Sequence, residues 1–541
     1  MKKSEKSDIM YLELYTHSIK RLRGDVNLKI SKKIVSIVLA SIVVMTTTGC
    51  LNTNVGASSY SNGEKDIIRL AQNTDVKSFD PHQANDSSTS NATRHIFNTL
   101  IKLTPEDTFE GDLAESWEQV DDTTVKFKLK DGVKFHNGEI LTSDDVKFSL
   151  ERQKESSKVG HLVDMIESIE VIDDLNFIIH LNKKSSTLIS SLSHIGGAIL
   201  NKKSVEEIEA SGKKIDENPI GTGPYKFEAW KPGDRFILIK FDDYFDGEVK
   251  NDGLEFRIIP EGSSRAIALE TGEIDVLLNV DAVDYNRIRD NIDLVLNEYS
   301  PTTIEFLDMN NEKAPFDNKL VREAINYATD KASIIAVSTN GEAIKSEGIM
   351  GPTSIGYSNN VVNYDYNLKK AKSLLKQAGY DNNLEFTILA SSDVRSKTAQ
   401  VYQASLAEIG VKVNVEMMES GAMLEKQMNG DFQAAVRGWN PNAEPDNTFA
   451  PLYLTENKGS GGNRTFYSNE KVDSLIREGR IEQDEIKRNK IYEEIQQIIT
   501  KDAAIAPIYT PLGAIGTSSK IEGLEIYPIG THRYENISFK K

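Results

Sequence analysis

The stretch Arg437 to Asn447, RGWNPNAEPDN, gathers the residue types best suited to holding a small polar molecule. An alternating segment, Phe432 to Val436, runs into Gly438 and Trp439 and then into a run rich in Asn, Pro and acid. Pro441 and Pro445, with Asn440, Asn442 and Asn447, exclude regular structure and favour turns. Gly438 lets the backbone of a ligand approach closely, and Trp439 offers an apolar wall. The carboxylates of Glu444 and Asp446 can hold an ammonium group by a charge-assisted bond. A strand-end turn around a partly buried tryptophan is the alternative reading of the same residues.

Signs of covalent or metal chemistry are few. Ser373-Leu-Leu-Lys376 has the S-x-x-K spacing of penicillin-binding enzymes. It falls within an amphipathic run, however, and the Lys-Thr pair at Lys397 and Thr398 is followed by Ala399 rather than Gly. The eight histidines are scattered without ligand spacing, and a single cysteine, Cys50, excludes a paired-cysteine site. No catalytic residue, metal site or cofactor is expected, and an exported serine hydrolase is kept as the different-class alternative.

With 39% apolar and 27% charged residues the composition is that of folded domains. The formal charge of −18 gives no footprint for nucleic acid. Lys29, Lys32 and Lys33 precede a short apolar run, Ile34 to Met45, which ends in Thr46-Thr-Thr-Gly49 before Cys50. A basic flank, an apolar core too short to span a bilayer and small residues at the end describe an export signal. The segment around Cys50 resembles a bacterial lipobox, with Thr47 where that pattern prefers Leu, so Cys50 is expected to be lipidated. Residues 50–65 read as a polar tether. Residues 1–25 place mixed charge ahead of the signal, and translation is expected to begin near Val26.

Helical and strand patterns alternate without internal repeats, which predicts an α/β fold. Strands are expected at Ile67–Ala71 and Val125–Leu129, and a helix at Thr93–Leu103. Ser143 is expected to cap the helix that follows it. Strands at Leu384–Leu389 and Val411–Val415 flank a helix at Lys397–Ile409 in a βαβ unit. A longer helix is expected at Glu482–Thr500.

The segment Leu113 to Arg152, LAESWEQVDDTTVKFKLKDGVKFHNGEILTSDDVKFSLER, resembles the signature of the family 5 solute-binding proteins of bacterial ABC importers. The resemblance continues through Asn218-Pro-Ile-Gly-Thr-Gly-Pro-Tyr-Lys-Phe227, Asp243 to Gly247, Leu269 to Val276, Asn310 to Asp330, Ala371 to Gly379 and Tyr467 to Asp473. It implies a two-lobed periplasmic-binding-protein-like fold of the large class II, cluster C type, closing about two crossing segments. Lobe I is expected at 66–300, lobe II at 301–506 and a return to lobe I at 507–541. The resemblance also implies a monomeric, lipid-anchored receptor outside the cytoplasm, at the cell surface or in the periplasm, delivering short peptides to permease subunits with cytoplasmic ATPases. A nickel chelate, glutathione or other non-peptide solute is the alternative cargo. Peptide-binding members pair the ligand backbone with the Gly-Trp-x segment, matched here by Gly438, Trp439 and Asn440. They capture its amine on an aspartate four residues before the loop proline. This loop is one residue shorter, Asn442 falls nearest that place, and Glu444 or Asp446 are the carboxylates at hand. Ser78, Phe79, Asp80 and Thr222 to Tyr225 are expected facing groups from lobe I.

Overall fold

A computed structural model describes residues 66–105, 108–380, 383–441 and 444–541. The signal, tether and Cys50 expectations lie outside these residues, as does Asn442. Three sheets organise the chain. The first has seven strands in the order Leu294–Tyr299, Gly513–Ser518, Val276–Leu277, Ile67–Gln72, Gly253–Ile258, Arg235–Lys240 and Tyr225–Lys231. Ile67–Gln72 sits at its centre, parallel to both neighbours, with Ile68 and Leu70 wholly buried. A strand buried on both faces reads as the near-continuous apolar run found here. The second sheet has six strands, in the order Ala343–Lys345, Ile505–Pro511, Ile304–Met309, Ala434–Trp439, Glu385–Ala390 and Lys412–Met417. The third, four-stranded sheet is an insertion in lobe I built from Ala114–Asp121, Thr124–Leu129, Asn176–Leu181 and Ile166–Val171.

The chain passes between the first two sheets twice, and the two passages are neighbours. Tyr299 pairs with Gly513 at the end of the first sheet, and Glu305 pairs with Tyr509 at the start of the second. The return to lobe I is expected from residue 507, which would put residues 507–511 in that lobe. Those residues instead pair with Ile304–Met309 and Ala343–Lys345 in the second sheet, so the passage falls at Leu512.

The βαβ unit is present. Glu385–Ala390 and Lys412–Met417 run parallel around the helix Asp393–Ala407. The long helix spans Glu485–Lys501. The helix expected at Thr93–Leu103 does not form: the helix is Ser87–Thr93, and Ile101–Leu103 is a strand. Its apolar residues Ile96, Phe97, Leu100 and Ile101 are all buried. The carbonyls of His95 and Ile96 accept the amides of Tyr225 and Gly223 rather than those of a further helical turn. Tertiary pairing overrides the local pattern. Gly221 belongs to the same junction, since a Cβ there would lie 2.0 Å from the Ile96 carbonyl oxygen. The helix start moves by one residue: Thr142 is the cap, and its amide and hydroxyl both donate to Asp145 at 3.0 Å, while Ser143 opens the helix.

His136 ties two of the signature segments together. Its Nδ1 accepts the Gly221 amide at 3.3 Å, so Nε2 carries the proton it donates to the Gly223 carbonyl at 3.0 Å. Burial pushes His82, His136 and His194 down to about 4 and His532 to about 3. A folded pKa below the unfolded value of about 6.5 means that the unfolded chain binds more protons between the two. These histidines therefore support folding above pH ~6.5 and oppose it progressively as pH falls toward 4. Buried Asp112 and Asp145 are pushed up and act in the opposite sense, so ring titration is the cleaner readout. NMR of the folded protein at pH 5.5 should find all four imidazoles neutral; protonated rings at that pH would contradict the burial argument.

Candidate functional site

The strand Ala434–Trp439 is fixed from beneath by a buried ion pair. Arg437 Nε meets Asp308 Oδ2 on the neighbouring strand, with both side chains at most 4% exposed, and the guanidinium stacks over Phe306 at 5.0 Å. At the next residue the strand carries Gly438 beneath a second pair, Glu305 with Arg395, bonded at 2.8 and 3.1 Å. A Cβ at Gly438 would lie 2.1 Å from Glu305 Oε1, so a side chain there would push the Glu305 carboxylate aside. The strand's far edge meets Glu385–Ala390 only at Ala434 and Ala435, which leaves Val436 to Trp439 without a strand partner on that side among the described residues.

Trp439 projects into a cleft of about 1120 Å³ between the two lobes. Lobe II contributes Trp439, Asn440, Pro441, Glu444, Asp446 and the segment around Arg480; lobe I contributes the Arg94 region, His161 to Met165, Ser190 to Ile195 and Ile529 to Arg533. Trp439 is half-buried, and its indole N–H donates to the Asn447 carbonyl at 3.1 Å, which sets the ring's orientation. The Asn440 side-chain oxygen accepts from Thr303 at 2.9 Å and Thr302 at 3.3 Å, and Thr302 also donates to the Pro441 carbonyl at 2.9 Å. Thr302 is in the first passage between the lobes, so the loop is tied to the hinge.

The two candidate carboxylates both face arginines. Glu444, 4% exposed, meets Arg488 Nη2, and Asp446 takes Arg480 Nε on its two oxygens at 2.7 and 2.9 Å. Burial pushes both carboxyls up while the arginines oppose that shift. Arg488 also donates to the Gly479 carbonyl at 3.0 Å. From lobe I, the Ser186 amide donates to the Arg480 carbonyl at 2.8 Å, and its hydroxyl reaches the Gly479 and Arg480 carbonyls at 3.1 and 2.9 Å. The loop carboxylate Glu444 is thus linked through Arg488 to the place where the lobes touch. Arg480 and Arg488 carry no motif in the sequence; their only mark was charge on a helix end.

Other expected residues lie elsewhere. Ser78 and Phe79 bond Asp216, Asp80 pairs with Arg152, and Thr222 and Tyr225 bond Asn98 and Asn251. All are committed within lobe I, and none lines the cleft. Ser373 and Lys376 are exposed on the helix Leu368–Gln377, where Ser373 accepts from Gln377. Among the described residues no group of three His, Cys, Asp or Glu side chains could hold a metal, and no helix is long and apolar enough to cross a membrane.

Two α/β lobes joined by paired passages around a polar cleft define a solute-binding receptor. Residues 108–461 match the middle region of the bacterial extracellular solute-binding proteins, family 5, and the chain belongs to that family, whose members serve ABC importers as receptors rather than enzymes. Heme-binding protein A of Haemophilus influenzae is 30% identical over 478 residues, covering 83% of this chain and 87% of that one. The glutathione-binding protein GsiB of Pectobacterium atrosepticum is 30% identical over 486 residues, covering 87% and 94%. The fold superposes with a TM-score of 0.76 on the periplasmic binding protein DppA of Helicobacter pylori in complex with the peptide STSA, at 31% identity, covering 88% of this chain and 98% of that one.

Two predictions follow from this geometry. Gly438→Ala forces the Glu305–Arg395 pair apart and should cost about 1–3 kcal/mol of stability in urea denaturation; an unchanged midpoint would contradict the close approach. Ser186→Pro removes the amide that reaches Arg480 and should accelerate release of bound solute in stopped-flow tryptophan fluorescence, whereas an unchanged rate would show that the contact does not hold the lobes together.

Proposed function

We propose that the protein is a lipid-anchored receptor that closes its lobes on short peptides and hands them to an ABC permease. The observation that carries this reading is the unpartnered edge at Val436 to Trp439, which ends at the cleft. An extended peptide can add to such an edge through main-chain hydrogen bonds, with specificity left to side-chain pockets. In this reading Gly438 and Asn440 offer backbone groups and Trp439 is the apolar wall. Asn442, Glu444 and Asp446 form the polar end of the site, the two carboxylates shared with their arginines. The precursor is read as a signal at 1–49, a tether at 50–65 lipidated at Cys50, lobe I at 66–300, lobe II from 301, and a return to lobe I placed at Leu512. The protein then acts as a monomer.

A non-peptide solute is the second reading. It is supported by the relatives named for heme and glutathione, and by an amide, Asn442, where peptide-binding members carry their amine-holding aspartate. An amide removes the charge pair that favours a free N-terminus.

Calorimetry with tri- and tetrapeptides tests the first reading. Trp439→Ala should leave the fold intact and weaken binding by at least ~1 kcal/mol, as loss of an aromatic anchor commonly does. Unchanged affinity would remove Trp439 from the site. Labelled palmitate incorporated into the full chain but not into Cys50→Ala tests the anchor.

A further inference from the structure

The cleft's charges are almost all matched. Lys102, Lys184, Arg477, Arg480 and Arg533 each have a carboxylate within 3.2 Å. Lys183 is exposed. Among the described residues two part-buried or buried charges of the lining lack an ion pair: Asp112, which is held by the Asn98 amide and the Thr99 backbone N–H, and Arg94. Arg94 follows the helix Ser87–Thr93 on the lobe I wall, and its side chain makes no hydrogen bond or ion pair with any described residue. Its Nε is buried without a partner among the described residues, and the residue lines the cleft. The neighbouring carboxylate Glu535 is taken by Arg533 at 3.2 Å. Burial beside Arg533 pushes Arg94 down to about 10, still cationic at neutral pH.

Two further donors share this wall. His194 Nδ1 accepts the Gly196 amide at 3.0 Å, which leaves the proton of the neutral ring on Nε2 as a donor. The Thr531 hydroxyl is buried, lines the cleft and has no hydrogen-bond partner among the described residues. A part-buried cation without a counter-charge is costly to fold, and an orphaned hydroxyl adds to that cost. An anionic oxygen group entering the cleft would satisfy both. Across the cleft the carboxylates Glu444 and Asp446 are already neutralised by Arg488 and Arg480.

We propose that Arg94, with the His194 ring and the Thr531 hydroxyl, forms an anion subsite on lobe I that takes a carboxylate of the bound solute. The inference rests on the reading that this cleft holds the solute, and it gives the selection a sign: recognition is weighted toward the acidic end of the cargo rather than toward its amine. A peptide C-terminus and a porphyrin propionate share the chemistry.

The test is native mass spectrometry of the full mature protein against an equimolar set of tri- and tetrapeptides, each as free acid and C-terminal amide, together with haem and its dimethyl ester. Wild-type protein should retain free acids, or haem over its diester, by at least ~10-fold, the scale of a charge-assisted bond. Arg94→Gln should erase that preference while still retaining the uncharged forms, and Thr531→Val should weaken it. Preference among the peptides identifies a C-terminal carboxylate, and preference within the haem pair a propionate. Equal retention of acid and neutral forms by the wild type overturns the subsite whatever the folding of the variants, as does discrimination that survives Arg94→Gln. Retention of none of the probes by the wild type would overturn the peptide reading and the subsite with it.

Discussion

Two adjacent strands carry the chain from one lobe to the other, and the geometry of the cleft depends on their being neighbours. Tyr299 lies against Gly513 on one side of the passage and Glu305 against Tyr509 on the other, so lobe I and lobe II share a narrow two-segment joint. A joint of that kind bends about one axis more readily than it twists or slides. The ligand loop is fastened to it. Thr302, in the first passage, holds the Asn440 side chain and the Pro441 carbonyl through its hydroxyl, while its amide reaches the Pro528 carbonyl of lobe I at 3.3 Å. A change in hinge angle therefore moves the loop and the lobe I wall relative to each other through a few short hydrogen bonds.

Electrostatics divides the cleft into unlike halves. On lobe II every acidic group of the loop is matched by an arginine from the helical segments that follow it, and the strand under the loop is locked by the buried Arg437–Asp308 pair. Removing one member of such a pair is far more costly than the net contribution of the pair, because a charge is left buried alone. Lobe II is thus a pre-formed, neutral platform with an aromatic wall. Lobe I presents the unmatched Arg94. A solute that meets both halves satisfies the cation and excludes water from Trp439 in the same closure.

The signature segments were legible because each carries local chemistry. His136 sits at a turn where its ring can bond two amide planes, the Gly-Thr-Gly run must approach the Ile96 carbonyl, and Gly438 passes under an ion pair. The βαβ unit was legible for the same reason: periodicity and a Gly-capped helix end specify it locally. The apolar run at Ile96–Ile101 misled because helical spacing cannot show that the chain is buried on all sides and that its carbonyls are claimed by residues 223 and 225. The partners of Glu444 and Asp446 were not legible either. They lie 44 and 34 residues away, and only folding of the helices places them there. Arg94 was hidden more completely, since in sequence it is an ordinary polar residue at a helix end, and its lack of a counter-charge exists only in three dimensions.

Mass spectrometry of whatever co-purifies with the chain expressed without residues 1–49 tests the central claim most directly. Closure slows release, so a cleft-bound solute survives gentle purification. The account predicts a ladder of short peptides with free C-termini. A single discrete non-peptide mass, or a bound chromophore absorbing in the visible, would contradict it.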